Sequence, residues 1–441
     1  MSPFENGLTP KLKPLAPRRT TVMSVLDVGT NKIVCLIARL RPLEGADLLP
    51  GRSHQAQILG IGHQRSRGLK SGAVVDMEAA EQAIRHAVDA AERMAGVRVD
   101  SVIVNISCGR VASEHYSATV EVGGHQVCDL DIHRVLDAGA SHSVRDGRAV
   151  LHSLPIGHML DGVGGISDPR GMLGRQLGVD MHVVTAESTP AKNLMLAIER
   201  CHLHVEAMVA TPYAAGLSAL VDDETEMGVT LIDMGAGTTS VAVFANRAFV
   251  HADSLPVGGA HVTTDVARGL STKLSEAERL KVLYGATIAS PSDDRETIAV
   301  PPVGDEQGDG IHHVPRSRLV RIIRPRIEEI LEMVRDRLRG SGAWAEAGRR
   351  VVLTGGACQL TGTVELARKI LDRQVRIGRP LGIAGMPEAA KGPPFATAAG
   401  LLVYPQIAGV EHFEPQVRTR AQATGTDGYF GRVGRWLKHS F

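Results

Sequence analysis

The chain has 441 residues, 43% of them hydrophobic and 22% charged, with a formal net charge of +1. That length exceeds one ordinary core, so two or more domains are expected. The near-zero charge excludes a whole-protein field for nucleic acid. The five cysteines, Cys35, Cys108, Cys128, Cys201 and Cys358, are scattered with no C-x-x-C pair. They read as reduced cytosolic thiols rather than disulfides or zinc ligands.

The first twenty residues carry Lys11, Lys13, Arg18 and Arg19 with four prolines and no apolar stretch. This is a basic, disordered tail and not a signal peptide. No later run reaches the roughly 18 apolar residues of a membrane span. Ordered structure is expected from Thr21. Val25-Leu26-Asp27-Val28-Gly29-Thr30-Asn31-Lys32 leads into Ile33-Val34-Cys35-Leu36-Ile37, a strand, an Asp-x-Gly turn and a strand. Residues 41–57 read as a hairpin loop and 58–62 as a strand. Residues 78–94 space Ala79, Ala83, Ile84, Ala87, Val88 and Ala91 as an amphipathic helix.

Residues 101–180 read as an inserted small α+β module. It would hold strands at 102–106, 118–122 and 149–154, a helix at 131–140 and a glycine-rich loop at 157–178. Residues 181–185 would resume the host sheet, with a helix at 190–201. The opening plan then recurs in Thr230-Leu231-Ile232-Asp233-Met234-Gly235-Ala236-Gly237-Thr238-Thr239-Ser240. Helices follow at 259–270 and 275–283, a polar loop at 299–315 and a long amphipathic helix at 318–338. A buried strand, 351–353, ends in Thr354-Gly355-Gly356-Ala357, ahead of a helix at 363–371 and a small-residue helix at 396–402. Beyond Tyr404 a polar linker leads to a last helix, 429–441.

Phosphate needs backbone N–H donors at close range, and glycine lets the main chain approach. Asp27 and Asp233 sit at strand ends, where carboxylates can hold a hydrated Mg²⁺. Asp27, Gly29, Thr30, Asn31 and Lys32 at the first turn, with Asp233, Gly235, Ala236, Gly237, Thr238 and Thr239 at the second, are the candidate phosphate-binding residues. Either turn alone is equally an ordinary hairpin; the pair, with a third glycine turn, points to a nucleotide. Gly355, Gly356 and Ala357 would approach a base or ribose. Glu278 and Lys281, three apart on one helix face, would reach ribose or adenine, or form a solvated ion pair. The chain has no G-x-x-x-x-G-K-[ST] loop, and Gly235-x-Gly237 continues into a strand, against a P-loop or a Rossmann site.

The last segment is legible on its own terms. Phe430, Val433, Trp436, Leu437 and Phe441 fall near one helical face, flanked by Arg432, Arg435 and Lys438. A basic helix with aromatic anchors suits an anionic leaflet, though a terminal helix can also dock on its own core. Each basic residue contributes about 1 kcal/mol near such a surface. Gly431 and Gly434 each remove about 1 kcal/mol of helix propensity. One such helix anchors weakly, and several on a polymer gain by avidity.

Five elements in order resemble the actin/hexokinase/Hsp70 ATPase superfamily. They are the turn at 27–32, Pro212-Tyr213-Ala214-Ala215-Gly216, the turn at 233–240, the strand and turn at 351–357, and the segment 395–401. Ala214, Ala215, Gly216, Ala398, Ala399 and Gly400 suit two helices crossing closely between lobes. Over nearly all of residues 21–441 the chain resembles the bacterial cell-division FtsA family. The resemblance rests on Ser66-Arg67-Gly68-Leu69-Lys70-Ser71-Gly72, Arg145-Asp146, Val150-Leu151-His152, Ala191-Lys192-Asn193, Glu199-Arg200-Cys201, Ser275-Glu276-Ala277-Glu278 and Val375-Arg376-Ile377-Gly378. The basic leader and the 41–57 loop depart from the compact family pattern.

The resemblance implies an α/β, actin-like two-lobed ATPase fold of duplicated ribonuclease-H-like halves with an inserted SHS2-type subdomain, 1C. Residues 21–100 plus 181–224 would form lobe 1A, 101–180 subdomain 1C, 225–256 plus 325–404 lobe 2A, and 257–324 subdomain 2B. It implies ATP and Mg²⁺ as ligands and self-association into actin-like polymers. The FtsZ ring would bind through 257–324 and the start of the helix holding Arg326, and later divisome proteins through 101–180. The protein would sit peripherally on the cytoplasmic face of the inner membrane at the septum. No catalytic base is identified; Asp27, Asp233 and a Mg²⁺ ion could position water, and hydrolysis would be at most slow. The competing reading is a soluble sugar or metabolite kinase of the same fold. An Hsp70-like chaperone needs a substrate domain that the residues after Tyr404 are too few to form.

Overall fold

The computed structural model describes residues 12, 15, 16, 18–43, 52–141, 144–303 and 310–413. Most of the leader, the rest of the expected linker beyond 413 and the helix expected at 429–441 lie outside the described residues.

Two strand–turn–strand pairs seed two sheets. Thr21–Val28 runs antiparallel to Lys32–Pro42, with Asp27 opposite Val34. Val229–Met234 runs antiparallel to Thr239–Ala245, with Asp233 opposite Ser240. In the first pair Val25, Leu26 and Ile33 to Ala38 have no exposed surface. Such continuous apolar runs mark strands covered on both faces.

The first sheet has six strands in the order His204–Ala210, Ser101–Ile106, Thr21–Val28, Lys32–Pro42, His54–Arg65 and Ile383–Ala384. The helix Met77–Ala95 covers it. Asp76 starts that helix by accepting a hydrogen bond from Ala79 N at 3.1 Å, and Gly96 stops it at φ 67°. The helix lies directly on the strand because Gly62 lacks a Cβ. One placed there would meet the Ala87 carbonyl oxygen at 1.7 Å.

The inserted module differs from expectation at both ends. The strand at 101–106 is not part of it; Ser101–Ile106 lies parallel between Thr21–Val28 and His204–Ala210 in the first sheet. Residues 181–185 do not return to that sheet. They belong to one long strand, Gln176–Glu187, paired antiparallel with Ala112–Glu121 and Arg148–Leu160 inside the module. The segment read as a glycine-rich loop at 157–178 also contributes strand, Val163–Ile166, and the first residues of Gln176–Glu187. The helix Asp129–Ala140 packs on this sheet through Ile132 and Val135. A single pair, Asp253 opposite Ala112, joins the module to the second sheet, which therefore counts nine strands.

The second sheet proper orders Gln374–Ile377, Arg350–Thr354, Val229–Met234, Thr239–Ala245 and Ala248–Leu255. The helices Gly259–Leu270 and Leu274–Tyr284 rise beside it. The polar loop expected at 299–315 holds a small hairpin, Thr297–Val300 with His312–Pro315. The helix Arg316–Gly340 then runs back, its 25 residues spanning about 37 Å. Its buried side, from Leu319 through Ile323, Ile327, Leu331 and Val334 to Leu338, packs in the second core.

Crossing helices and a late strand are among the connections between the halves. The helices Thr211–Ala219 and Ala396–Ile407 cross, and both are almost wholly buried. The late strand Ile383–Ala384 pairs in parallel with Ala56 and Gln57, extending the first sheet from the second half of the chain. Arg52 braces that crossing by donating to Leu381 O at 2.7 Å and Leu217 O at 3.2 Å.

Candidate nucleotide site

Both Asp-x-Gly turns are tight. Gly29 N donates to Lys32 O at 3.0 Å, and Gly235 N to Thr238 O at 2.9 Å. They face each other across a cavity of about 960 Å³. Gly237 meets Thr30 only because it has no side chain: a Cβ there would sit 2.4 Å from Thr30 Oγ1 and 2.9 Å from Ser71 Cα. Gly72 N donates to the same Thr30 hydroxyl at 3.0 Å, so the turn at 66–72 packs on the first loop.

Asp27 and Asp233 end their strands nearly buried, 6% and 8% exposed. Burial raises the Asp27 carboxyl, and Lys32 counters it. Burial first, then the Asp27 charge, pushes Asp233 up to about 6. The Thr397 hydroxyl donates to Asp233 at 3.1 Å. Lys32 reaches Pro394 O at 2.6 Å, lies 3.8 Å over the Phe395 ring and stays 4.0 Å from Asp27. Burial depresses its ammonium, while Asp27 and Asp233 hold the charge on. Two buried acids held above their usual range, Asp233 partly by the charge of Asp27, with one lysine largely engaged elsewhere, form a site that gains from a cation. Among the described residues no group of three or more His, Cys, Asp or Glu forms a protein-only metal cage. A hydrated Mg²⁺ held by two carboxylates fits that donor set.

The far wall comes from the second half. Gly355, at φ 83°, passes so close to Asp233 that a Cβ would meet Oδ1 at 2.2 Å, whereas Gly356 opens onto free space. The helix Gly259–Leu270 is stitched to the second turn by Gly259 N to Gly235 O at 2.9 Å and Ala260 N to Ala236 O at 2.8 Å. Lys281 Nζ donates to Gly259 O at 3.1 Å and Thr263 Oγ1 at 2.8 Å, and pairs with Glu278 at 2.7 Å. Thr263 also donates to Glu278. The ion pair is thus built into the cavity wall rather than free on a helix surface.

The cavity brings together Asp27, Gly29, Thr30, Asn31, Lys32, Asp233, Gly235, Ala236, Gly237, Thr238, Gly355, Gly356, Ala357, Glu278 and Lys281. Thr239 is the exception among the expected residues. It is fully buried, and its hydroxyl donates to Val257 O at 2.8 Å, holding the loop before the helix Gly259–Leu270. The sequence reading missed His63, Arg65, Asn105, Thr211 and Phe395, which also line the cavity. Asn105 carried a usable signal, a lone amide in an apolar strand. Its Oδ1 accepts from Val28 N at 2.7 Å, and its Nδ2 donates to Thr211 Oγ1 at 3.1 Å. The expected membrane-facing residues Phe430, Arg432, Val433, Arg435, Trp436, Leu437, Lys438 and Phe441 lie outside the described residues. No described helix is long and apolar enough to cross a membrane.

Two sheet-based lobes, each opening on an Asp-x-Gly turn over one cleft, with a small α+β insertion, define an actin-like ATPase fold with an inserted SHS2 domain. Solved structures share that fold. The PilM-PilN type IV pilus biogenesis complex superposes with a TM-score of 0.59 at 17% identity, over 87% of this chain and 98% of that one. MreB5 of Spiroplasma citri bound to ADP does so with a TM-score of 0.50 at 13% identity, over 88% and 97%. A family model described as "Cell division protein FtsA" matches residues 230–400, and one described as "SHS2 domain inserted in FTSA" matches residues 108–185. Cell division protein FtsA of Agrobacterium fabrum is 54% identical over 432 residues, 98% of each chain. That of Rhizobium meliloti is 54% identical over 438 residues, again 98% of each. The Escherichia coli protein is 32% identical over 424 residues, 94% of this chain and 97% of its own. The chain belongs to the FtsA family of cell division proteins. The match at 108–185 opens just after Ile106 and closes at Thr185, in keeping with the sheet boundaries.

Proposed function

We propose that this chain is an ATP-binding, actin-like adaptor that tethers the FtsZ ring to the cytoplasmic face of the inner membrane at the septum. The observation that carries the reading is the pair of phosphate turns facing each other across one cleft, with Gly237 against Thr30 and Gly355 against Asp233. Asp27 and Asp233 would hold Mg²⁺ through water, and the ion would offset the charge of the phosphate chain. The backbone of residues 29–32 and 235–238 would cradle the phosphates. Gly355, Gly356, Ala357, Glu278 and Lys281 would take the adenosine end. Any hydrolysis is proposed to be slow, with Asp27, Asp233 and the ion positioning water.

Membrane attachment is assigned to the amphipathic segment 429–441 on its sequence pattern. FtsZ is assigned to 257–324 with the start of the helix that holds Arg326, later divisome proteins to the inserted module, and self-association to actin-like contacts, each by family membership. Polymerisation would multiply weak single anchors.

Co-sedimentation with anionic liposomes, ATP and Mg²⁺ tests this, comparing the full chain with one ending at Thr426. Pelleting that disappears on truncation supports the adaptor. If neither form pellets, the tether reading is wrong and a soluble kinase of this fold takes its place. Equal liposome affinity for an assembling form and a monomeric variant would contradict the avidity coupling.

A further inference from the structure

A chain of buried hydrogen bonds leads from the first phosphate turn to the last described residues. Val28, immediately before Gly29, donates its backbone N–H to Asn105 Oδ1 at 2.7 Å. Asn105 Nδ2 donates to Thr211 Oγ1 at 3.1 Å, at the start of the crossing helix Thr211–Ala219. One residue earlier, Ala210 N donates to His152 Nε2 at 2.9 Å. Because Nε2 accepts there, the His152 proton sits on Nδ1, which donates to Glu411 Oε1 at 2.9 Å. The His152 side chain is 0% exposed and that of Glu411 1%. His152 also stands edge-on to Tyr213 at 4.9 Å and Tyr404 at 5.8 Å, so its ring has little freedom.

The next residue fastens the same segment to the inserted module. His412 N donates to Ser153 O at 2.8 Å, and His412 Nε2 meets Asp137 Oδ1 at 2.7 Å. Glu411 and His412 therefore form a strap across the module strand Arg148–Leu160 and the helix Asp129–Ala140, just ahead of the C-terminal segment.

We propose that this strap is a conformational clamp, coupled through His152, Thr211 and Asn105 to the first phosphate turn. The physical basis is that two backbone amides, Val28 and Ala210, depend on side-chain acceptors. Glu411 orients the His152 acceptor that serves Ala210, and Asn105 is linked to it through Thr211, the residue after Ala210. Release of the strap removes the partner that orients the His152 Nδ1–H, weakens the acceptor at Ala210 and loosens the entry to the helix that carries Thr211. By reciprocity, a ligand that orders the turn strengthens the clamp. The ligand-linked half of the statement rests on the nucleotide reading above; the mechanical half does not.

Backbone hydrogen exchange on the full chain without nucleotide tests the mechanical half, comparing wild type with Glu411→Ala, Glu411→Gln and His412→Ala. Glu411→Ala should speed exchange at Ala210 and Val28 about tenfold, the scale of losing one charge-assisted buried hydrogen bond. Glu411→Gln keeps an oxygen for the His152 N–H and should stay close to wild type. Faster exchange confined to 408–413, with Ala210 and Val28 unchanged, would overturn the coupling. Should Glu411→Ala lose protection throughout the chain, His412→Ala carries the same comparison, since its pair with Asp137 is only partly buried. ATP binding to wild type is measured separately. Its failure would remove the nucleotide reading and leave the exchange result standing.

Discussion

Gly400 and Ala214 touch where the two lobes cross: a Cβ at Gly400 would lie 1.6 Å from the Ala214 carbonyl oxygen. Backbone meets backbone at that point, so no rotamer change can make room. Gly400→Ala is expected to lower stability by about 3 kcal/mol, at the upper end of overpacking costs. Urea unfolding of the two proteins gives the difference directly. A variant with an unchanged midpoint and slope would show that the helices separate without penalty.

The second approach of this kind governs ligand binding. Gly237 faces Thr30 from the opposite lobe, and a valine there would push the two turns apart. Gly237→Val should weaken ATP binding about a hundredfold, the equivalent of losing two hydrogen bonds to a charged group. Gly235→Val acts on the second turn itself and should abolish binding. Titration with a fluorescent ATP analogue reads both. Wild-type affinity in either variant would contradict the phosphate assignment.

The joint between the module and the second sheet is made largely by side chains. His182 Nδ1 meets Phe249 O at 2.6 Å, His115 Nε2 meets Val250 O at 2.8 Å, and Ala252 N donates to Ser113 Oγ at 2.6 Å. Burial first and His115 next pull His251 down from 6.5 to about 4, and they hold His182 well below 6.5. The unfolded chain takes up these protons near 6.5, the folded chain only lower, so stability falls as pH drops from 6.5 toward 4. For His251 alone the loss is on the order of 2 to 3 kcal/mol across that window. Thermal unfolding at pH 7.5 and 5.0 measures it. His251→Phe should reduce the slope and leave the part that His182 carries, and a wild-type Tm that does not move with pH would refute the argument.

Arg376 grips the segment that joins the two halves. Its Nε donates to Glu224 Oε1 at 2.7 Å, and its second nitrogen reaches Ala219 O at 2.9 Å at the end of the crossing helix. Burial raises the Glu224 carboxyl, but the Arg376 fork outweighs it and holds the group below its usual range. Arg376→Ala leaves that carboxylate nearly buried and unpaired, a loss of about 3 kcal/mol. Replacing both residues together, Arg376→Met with Glu224→Leu, should recover most of it. Equal stability of wild type and Arg376→Ala would mean that the pair contributes nothing.

The sequence exposed what was local. Each Asp-x-Gly turn lies between two adjacent strands, and the glycine signal and apolar runs sit within a dozen residues of each other. Strand partners were not local. The run at 102–106 reads as buried strand in either sheet, and only its place beside Thr21–Val28 decides which. The run at 181–185 likewise looks the same inside the module or outside it. Thr239 illustrates the limit at the site. It follows Thr238 at a strand start, where successive side chains point to opposite faces, so only one of the two can line the cleft. His63, Arg65 and Thr211 reach the cavity because separate strands and a crossing helix end there, a convergence that no short window of sequence contains.

The strand Ile383–Ala384 sets an order on the making of this protein. Synthesis delivers residues 21–210, and with them five of the six strands of the first sheet, long before the sixth exists. Until Ala384 has been made, the edge at Ala56 and Gln57 has bare amides and carbonyls, the kind of border on which chains aggregate. The first lobe therefore leaves the ribosome unfinished, and its own distant sequence, not a neighbour, supplies the closing strand.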